Sequence, residues 1–176
     1  MGTIITRFLA LAILLAAPGS AYAHVEIHID LTTQTMTVHS GSGETYVWPI
    51  SSGRAGHATP RGMFRPRAMY VMVHSAKYDN APMPHAIFFH GQYAIHGTNA
   101  VGALGRPASH GCVRISPAHA AMLFAMVRRQ RADIRIVGSP FSEVARSRWR
   151  SGSALGFAPV RRVRTLEQWT RDPLGR

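Results

Sequence analysis

Along residues 25–31, apolar side chains (Val25, Ile27, Ile29, Leu31) alternate with polar ones (Glu26, His28, Asp30). A period of two marks a strand with one face in a core and the other in water, and a helix cannot gather such a set on one side. Thr32-Thr33-Gln34 reads as a turn, after which Met36 and Val38 resume the alternation, so this segment is predicted to be a β-hairpin. Gly41-Ser42-Gly43 turns the chain into a third strand over 45–51, and a flexible loop over 52–62 follows, carrying Thr59-Pro60. Further strands are expected at 68–73, 86–89 and 93–96, with a last one through Ile134, Ile136 and Val137 ending at Gly138. One helix interrupts them. Ser116 suits an N-cap and Pro117 the first helical position, and 118–129 is continuous in helix-compatible residues with Arg128 and Arg129 near the negative end of the dipole. Its face of Ala121, Met122, Phe124, Ala125 and Met126 is expected to pack on the sheet, with Met122 and Met126 as core fillers rather than ligands. The frequency of Gly and Pro fits this reading: mainly β, a mixed sheet or sandwich with one principal helix.

The ends differ from the middle. Arg7 closes a short basic region, an apolar run over 8–17 is too short to span a bilayer comfortably, and Ala21-Tyr22-Ala23 has the small-x-small form of a cleavage site. Residues 1–23 are therefore expected to be a signal peptide, giving an exported protein that begins at His24 and keeps no transmembrane anchor. One folded domain is expected over 24–138. From 139 to 176 arginine recurs against only Glu143, Glu167 and Asp172, while Phe141, Trp149 and Trp169 argue against complete disorder. This Arg-rich extension reads either as a solvated segment wrapping the domain or as an electrostatic tether. The formal charge of +12, with Lys77 as the only lysine, favours polyanionic surroundings. Export, and the absence of zinc-finger spacing or RNA-binding aromatic motifs, argue against nucleic acid.

Chemistry concentrates in two segments, Ile95-His96-Gly97-Thr98-Asn99 and Ser109-His110-Gly111-Cys112-Val113-Arg114. Cys112 is the only cysteine, so in an exported protein it is idle, intermolecular or reactive. A thiol attacks carbonyl carbon only as thiolate, of which a few per cent exists near neutral pH at an ordinary pKa of ~8.5, so it needs a base. His96, at the end of a predicted strand, is the expected base. His110 is two residues from Cys112, and parallel side chains at that spacing make direct pairing awkward, so it is assigned a supporting or substrate-contact role. Gly111 permits close backbone approach, and the N–H groups of Gly111 and Cys112 are candidates for an oxyanion hole. Arg114, two residues on, offers a guanidinium fork to a substrate carboxylate.

These segments resemble the L,D-transpeptidase (YkuD-like) catalytic domain, through His96-Gly97-Thr98-Asn99 and Ser109-His110-Gly111-Cys112-Val113-Arg114. The likeness extends upstream through the hairpin, Ser51-Ser52-Gly53, Thr59-Pro60-Arg61-Gly62 and Met83-Pro84, and ends near Gly138. The resemblance implies a mostly β catalytic fold in which Cys112 is acylated by a peptidoglycan tetrapeptide stem at the L-centre of diaminopimelate, expelling D-alanine. It implies that His96 acts as base and then acid, that the Gly97 carbonyl orients the imidazole, and that Ser109 and Arg114 lie near the substrate. The acyl group would pass to an amine: another diaminopimelate for a 3-3 crosslink, an envelope protein, or a D-amino acid. Periplasmic or cell-envelope location and peptidoglycan stem peptides as partners follow from the same resemblance, with no cofactor and no metal.

Three rival functions remain, with a Cys112-linked dimer beside them. A carboxypeptidase or crosslink hydrolase on the same scaffold differs only in using water as acceptor. A metal-binding exported protein is suggested by ten histidines and one thiol, yet His85 and His90 fall on opposite strand faces and no Cys/His ladder recurs. A non-catalytic wall-binding module would not need both Cys112 and His96, and a Cys112-linked dimer would leave His110, Gly111 and Arg114 unexplained. His57, His85 and His90 are read as ordinary polar residues. Tyr78 and Met83 stand open between pocket wall and core, and Trp48 is expected to pack.

Overall fold

The structure, a computed structural model, describes residues 24–142; the expected signal peptide and the bulk of the Arg-rich extension, 143–176, lie outside the described residues. In chain order the elements are β1 (His24–Asp30), β2 (Thr35–His39), β3 (Thr45–Pro49), β4 (Gly62–Phe64), β5 (Ala68–Ser75), β6 (Ala81–His90), β7 (Tyr93–Gly97), β8 (Val113–Ile115), α1 (Pro117–Arg129) and β9 (Arg131–Val137).

Alternation builds the first sheet. Val25, Ile27 and Ile29 are buried along β1 while Glu26 and His28 face solvent, and β2 returns antiparallel with Met36 opposite Ile29 and Val38 opposite Ile27. β3 continues the meander and buries Tyr46 and Trp48. On the other side of β1 lies β9, parallel to it, so that Ile134 neighbours Ile27 and Ile136 neighbours Ile29. The sheet has the order β3-β2-β1-β9-β4. The second has the order β5-β6-β7-β8, antiparallel except for β7 and β8. Ile87, Phe89, Ile95, Val113 and Ile115 of this sheet join Val25, Ile27, Val38 and Trp48 of the first in one apolar core. The mainly β fold with mixed sheets and one principal helix is thus present.

The helix forms as its ends dictate. Ser116 Oγ accepts from the His119 N–H at 3.2 Å, Pro117 occupies the first turn, and Arg128 and Arg129 close the last. Its buried stripe is Ala120, Leu123, Phe124 and Val127 together with Met122, the i, i+3, i+4, i+7 spacing of one helical face. The expected face holds only in part: Met122 and Phe124 are buried and Met126 packs at the core edge, but Ala121 and Ala125 are only half-buried, and Ala120, Leu123 and Val127 take the core positions instead. Each fully buried Leu or Phe on this face contributes about 1.5–3 kcal/mol relative to exposure. Trp48 packs as expected, stacked on His119 with centroids 4.8 Å apart.

Beyond β9 the chain stays on the domain for at least a few residues, with the Ser139 N–H donating to Thr32 Oγ1 at 3.0 Å and Pro140 buried.

Candidate active site

β7 and β8 place the two motif segments side by side. Their parallel register sets His96 opposite Arg114, and Cys112 lies one residue before β8. β7 is nearly all core, and His96 is only 5% exposed. The imidazole Nδ1 lies 2.7 Å from the Gly97 carbonyl oxygen. A carbonyl only accepts, so Nδ1 carries the proton and Nε2 keeps a free lone pair. Burial pulls the His96 pKa down to about 4; the Gly97 hydrogen bond opposes this and the Arg114 charge adds to it.

Cys112 is half-buried, and its thiol donates a long hydrogen bond, 3.8 Å, to the Gln92 carbonyl. It sits against a small apolar floor of Met83, Ala86 and Ala94, which Val73 and Phe88 extend. This burial pushes the thiol pKa up, more than the Ala94 backbone and the Arg114 guanidinium pull it down. The resting pair is therefore neutral thiol and neutral imidazole across the range between about pH 4 and the thiol's raised value.

The loop that carries Cys112 is held from upstream. Ser51 and Arg114 exchange backbone hydrogen bonds at 2.8 and 2.9 Å, Ser109 N–H donates to the Ser52 carbonyl, and Arg54 N–H donates to the Ser109 carbonyl. Thr59 Oγ1 accepts from the Gly53 N–H and donates to the Gly111 carbonyl, both at 2.9 Å. Gln34, fully buried in the β1–β2 turn, donates to Ser52 Oγ and accepts from the Ser52 N–H. Two glycines are required. A Cβ on Gly53 would fall 1.8 Å from the His57 carbonyl oxygen, and Gly111 has φ +116 with its Cβ position 2.5 Å from the Tyr93 ring.

This bracing corrects two expectations. Ser109 has no exposed surface: its Oγ donates to the Cys112 carbonyl at 2.6 Å and accepts from the Gly111 N–H at 3.0 Å, so it fixes the loop from behind and does not reach a substrate. The Gly111 N–H is thereby engaged inside the protein, and of the expected oxyanion pair the Cys112 N–H remains.

His96, Cys112, His110 and Arg114 all line one cleft of about 650 Å³. The β5–β6 hairpin forms its opposite wall. The connection between the two strands is the five-residue segment 76–80, in which Asp79 and Asn80 take positive φ (46 and 50) and the Ala81 N–H donates to the Tyr78 carbonyl at 2.9 Å. This hairpin brings Lys77, Tyr78 and Met83 to the cleft; Tyr78 is wall, and Met83 is both, lining the cleft while buried in the cluster with Ala86 and Ala94. Tyr78 stacks on His110 with ring centroids 4.0 Å apart, and His57, read from sequence as ordinary, packs edge-on against the same ring at 4.7 Å. Thr59, Lys77 and His57 are the site residues that sequence reasoning missed; the only hint was Thr59-Pro60 in a loop otherwise without pattern. Among the described residues, no group of three or more His, Cys, Asp or Glu is placed to hold a metal ion, and no helix is long and apolar enough to cross a membrane.

The family model of the L,D-transpeptidase catalytic domain matches residues 24–146. Solved structures agree in fold. An L,D-transpeptidase from Mycobacterium smegmatis superposes with a TM-score of 0.59 at 28% identity, covering 65% of this chain and 59% of that one. One from Stackebrandtia nassauensis gives 0.58 at 25% identity, covering 65% and 56%, and one from Xylanimonas cellulosilytica gives 0.57 at 25%, covering 67% and 62%. The chain thus spans less than two thirds of the length of these solved relatives. No curated protein matches it.

Proposed function

The chain belongs to the L,D-transpeptidase catalytic domain family, and from that premise we propose that it is an exported cysteine acyltransferase acting on peptidoglycan stem peptides, with Cys112 as nucleophile and His96 as base. The observation that carries this reading is the placement of both side chains on one cleft with the Nε2 lone pair of His96 left free by the Gly97 contact. Because thiol and imidazole are both neutral at rest, proton transfer accompanies attack rather than preceding it. The Cys112 S–H proton passes to His96 Nε2 as sulfur bonds to the carbonyl carbon at the L-centre of diaminopimelate. Collapse of the tetrahedral species breaks the C–N bond, and imidazolium returns the proton to the departing amine of D-alanine. An acceptor amine then attacks the thioester, gives its proton to His96, and releases the thiol. In this reading the Cys112 N–H serves the oxyanion, and Arg114, which lines the cleft, suits a donor carboxylate. The acceptor is an amine of another stem or of an envelope protein, and the site of action is the periplasm or cell envelope, reached through the signal peptide of residues 1–23.

The test is intact-mass analysis of wild type and Cys112→Ala with a diaminopimelate-containing disaccharide tetrapeptide, alongside chromatography of the products. A thioester adduct on wild type alone, with D-alanine release and a dimeric muropeptide, is expected. Cys112-dependent tripeptide without dimer would convert the assignment to a carboxypeptidase, and no adduct with unchanged stems would overturn it.

A further inference from the structure

The cleft contains cations and no acid. His74, Lys77, His96, His110 and Arg114 line it, and no Asp or Glu does. The described acids lie elsewhere: Glu26, Asp30 and Asp133 on the first sheet, Glu44 in the turn before β3, and Asp79 at the hairpin tip. Arg114, beside Cys112, accounts for one substrate carboxylate. A second concentration of donors stands at the hairpin wall. Lys77, the chain's only lysine, holds its Nζ 5.6 Å from the centre of the Tyr78 ring, Tyr78 stacks on His110, and His57 packs edge-on against that imidazole. His110 Nδ1 is buried and has no hydrogen-bond partner in the protein. Desolvation first, and then the charges of Arg54, His57, Arg114 and Lys77, hold His110 below the usual imidazole range. Such a cluster is short of negative charge until a ligand supplies it.

We propose that Lys77, Tyr78 and His110 form a second carboxylate subsite, additional to Arg114, that selects stem peptides bearing free carboxylates over stems in which those groups are carboxamides. The inference rests on the acyltransferase reading above and specifies its donor. The physical ground is donor and acceptor count. Lys and Arg only donate, so a carboxylate oxygen satisfies them, whereas the NH₂ of a carboxamide meets another donor and brings no charge. A site built to pair one polar group discriminates against the isostere that leaves it unpaired. A single charge-assisted hydrogen bond at a partly exposed site corresponds to about tenfold in kcat/KM.

The test compares D-alanine release by the full chain from two disaccharide tetrapeptides, one with free side carboxyls and one with the D-glutamate and diaminopimelate carboxyls amidated. The free acid is expected to lead by about tenfold in kcat/KM. Lys77→Gln, at an exposed hairpin position, is expected to narrow that ratio by raising KM for the free acid more than for the amide, and added salt should narrow it likewise. Equal or better use of the amidated stem, or a ratio untouched by Lys77→Gln, overturns the subsite. Intact mass separates the two levels of the argument: acylation of Cys112 by both stems at equal rates removes the subsite and leaves the enzyme, whereas acylation by neither removes both.

Discussion

The state of Cys112 before substrate arrives is open to direct measurement, because it is the only thiol in the chain and every alkylated molecule reports it. Burial raises its pKa above the ordinary range of a free thiol. At pH 7 the thiolate fraction is then below the ~3% of a thiol at ~8.5, since each pH unit below the pKa lowers it tenfold. His96, with a pKa of about 4, is neutral at that pH and offers no positive charge to hold a thiolate. The perturbation is a pH series from 5 to 10 with iodoacetamide, followed by intact mass. The alkylation rate should climb about tenfold per pH unit through 7 and 8, with no plateau until the thiol itself titrates. His96→Ala should leave the rate at pH 7 within about threefold of wild type while abolishing turnover. A plateau already complete by pH 7, with a large fall in His96→Ala, would mean a preformed thiolate–imidazolium pair and would refute the reasoning from burial.

Two further outcomes follow from the same geometry. His96 binds its proton at about pH 4 folded and 6.5 unfolded, so between those values the unfolded chain holds more protons and stability rises with pH. Stability is fully present above about 6.5 and is lost by about 3 kcal/mol as pH falls to 4; urea titrations should show this slope in wild type and its flattening in His96→Asn, over the residual slope of the same sign from half-buried His119 and from His110, whose pKa values desolvation also lowers. Thr59→Val removes the hydroxyl shared by the Gly53 N–H and the Gly111 carbonyl, at a cost of about 2–3 kcal/mol for the two buried groups left unpaired. Turnover should fall with it and Thr59→Ser should restore both, whereas unchanged urea midpoints would show that water replaces the hydroxyl.

Features set by neighbours in sequence were legible and those set by distant partners were not. Alternation alone gives β1, β2 and β9, since side-chain period and burial coincide there, and Ser116 with Pro117 gives the helix start to the residue. β4 and β8 run only over Gly62–Phe64 and Val113–Ile115, too short for a period to register, and each exists because a longer strand, β9 or β7, pairs with it. His96 and Cys112 were legible because the chemistry demands a base for a lone thiol. Ser109 was misread because its hydroxyl direction is decided by a loop braced by Ser52 and Thr59, some fifty residues upstream. His57 was passed over for the same reason: only the folded chain puts its ring against His110.

The neutral pair and the acid-free cleft belong to one electrostatic design on the acyltransfer reading. A preformed thiolate would place a negative charge beside Lys77 and Arg114, where a substrate carboxylate is meant to sit, and the two anions would compete for Arg114. Keeping Cys112 protonated by packing it on Met83, Ala86 and Ala94 reserves Arg114 and Lys77 for the incoming stem. Negative charge then develops on sulfur and on the carbonyl oxygen only during attack, when donor carboxylates already partly neutralise the cleft and His96 takes the proton. Arg114, which lowers the pKa of both His96 and Cys112, favours the products of that proton transfer on one side and opposes them on the other. An arginine tuned solely to ionise the thiol would be poorly placed opposite the base; one tuned to hold a substrate anion beside both reacting groups belongs there.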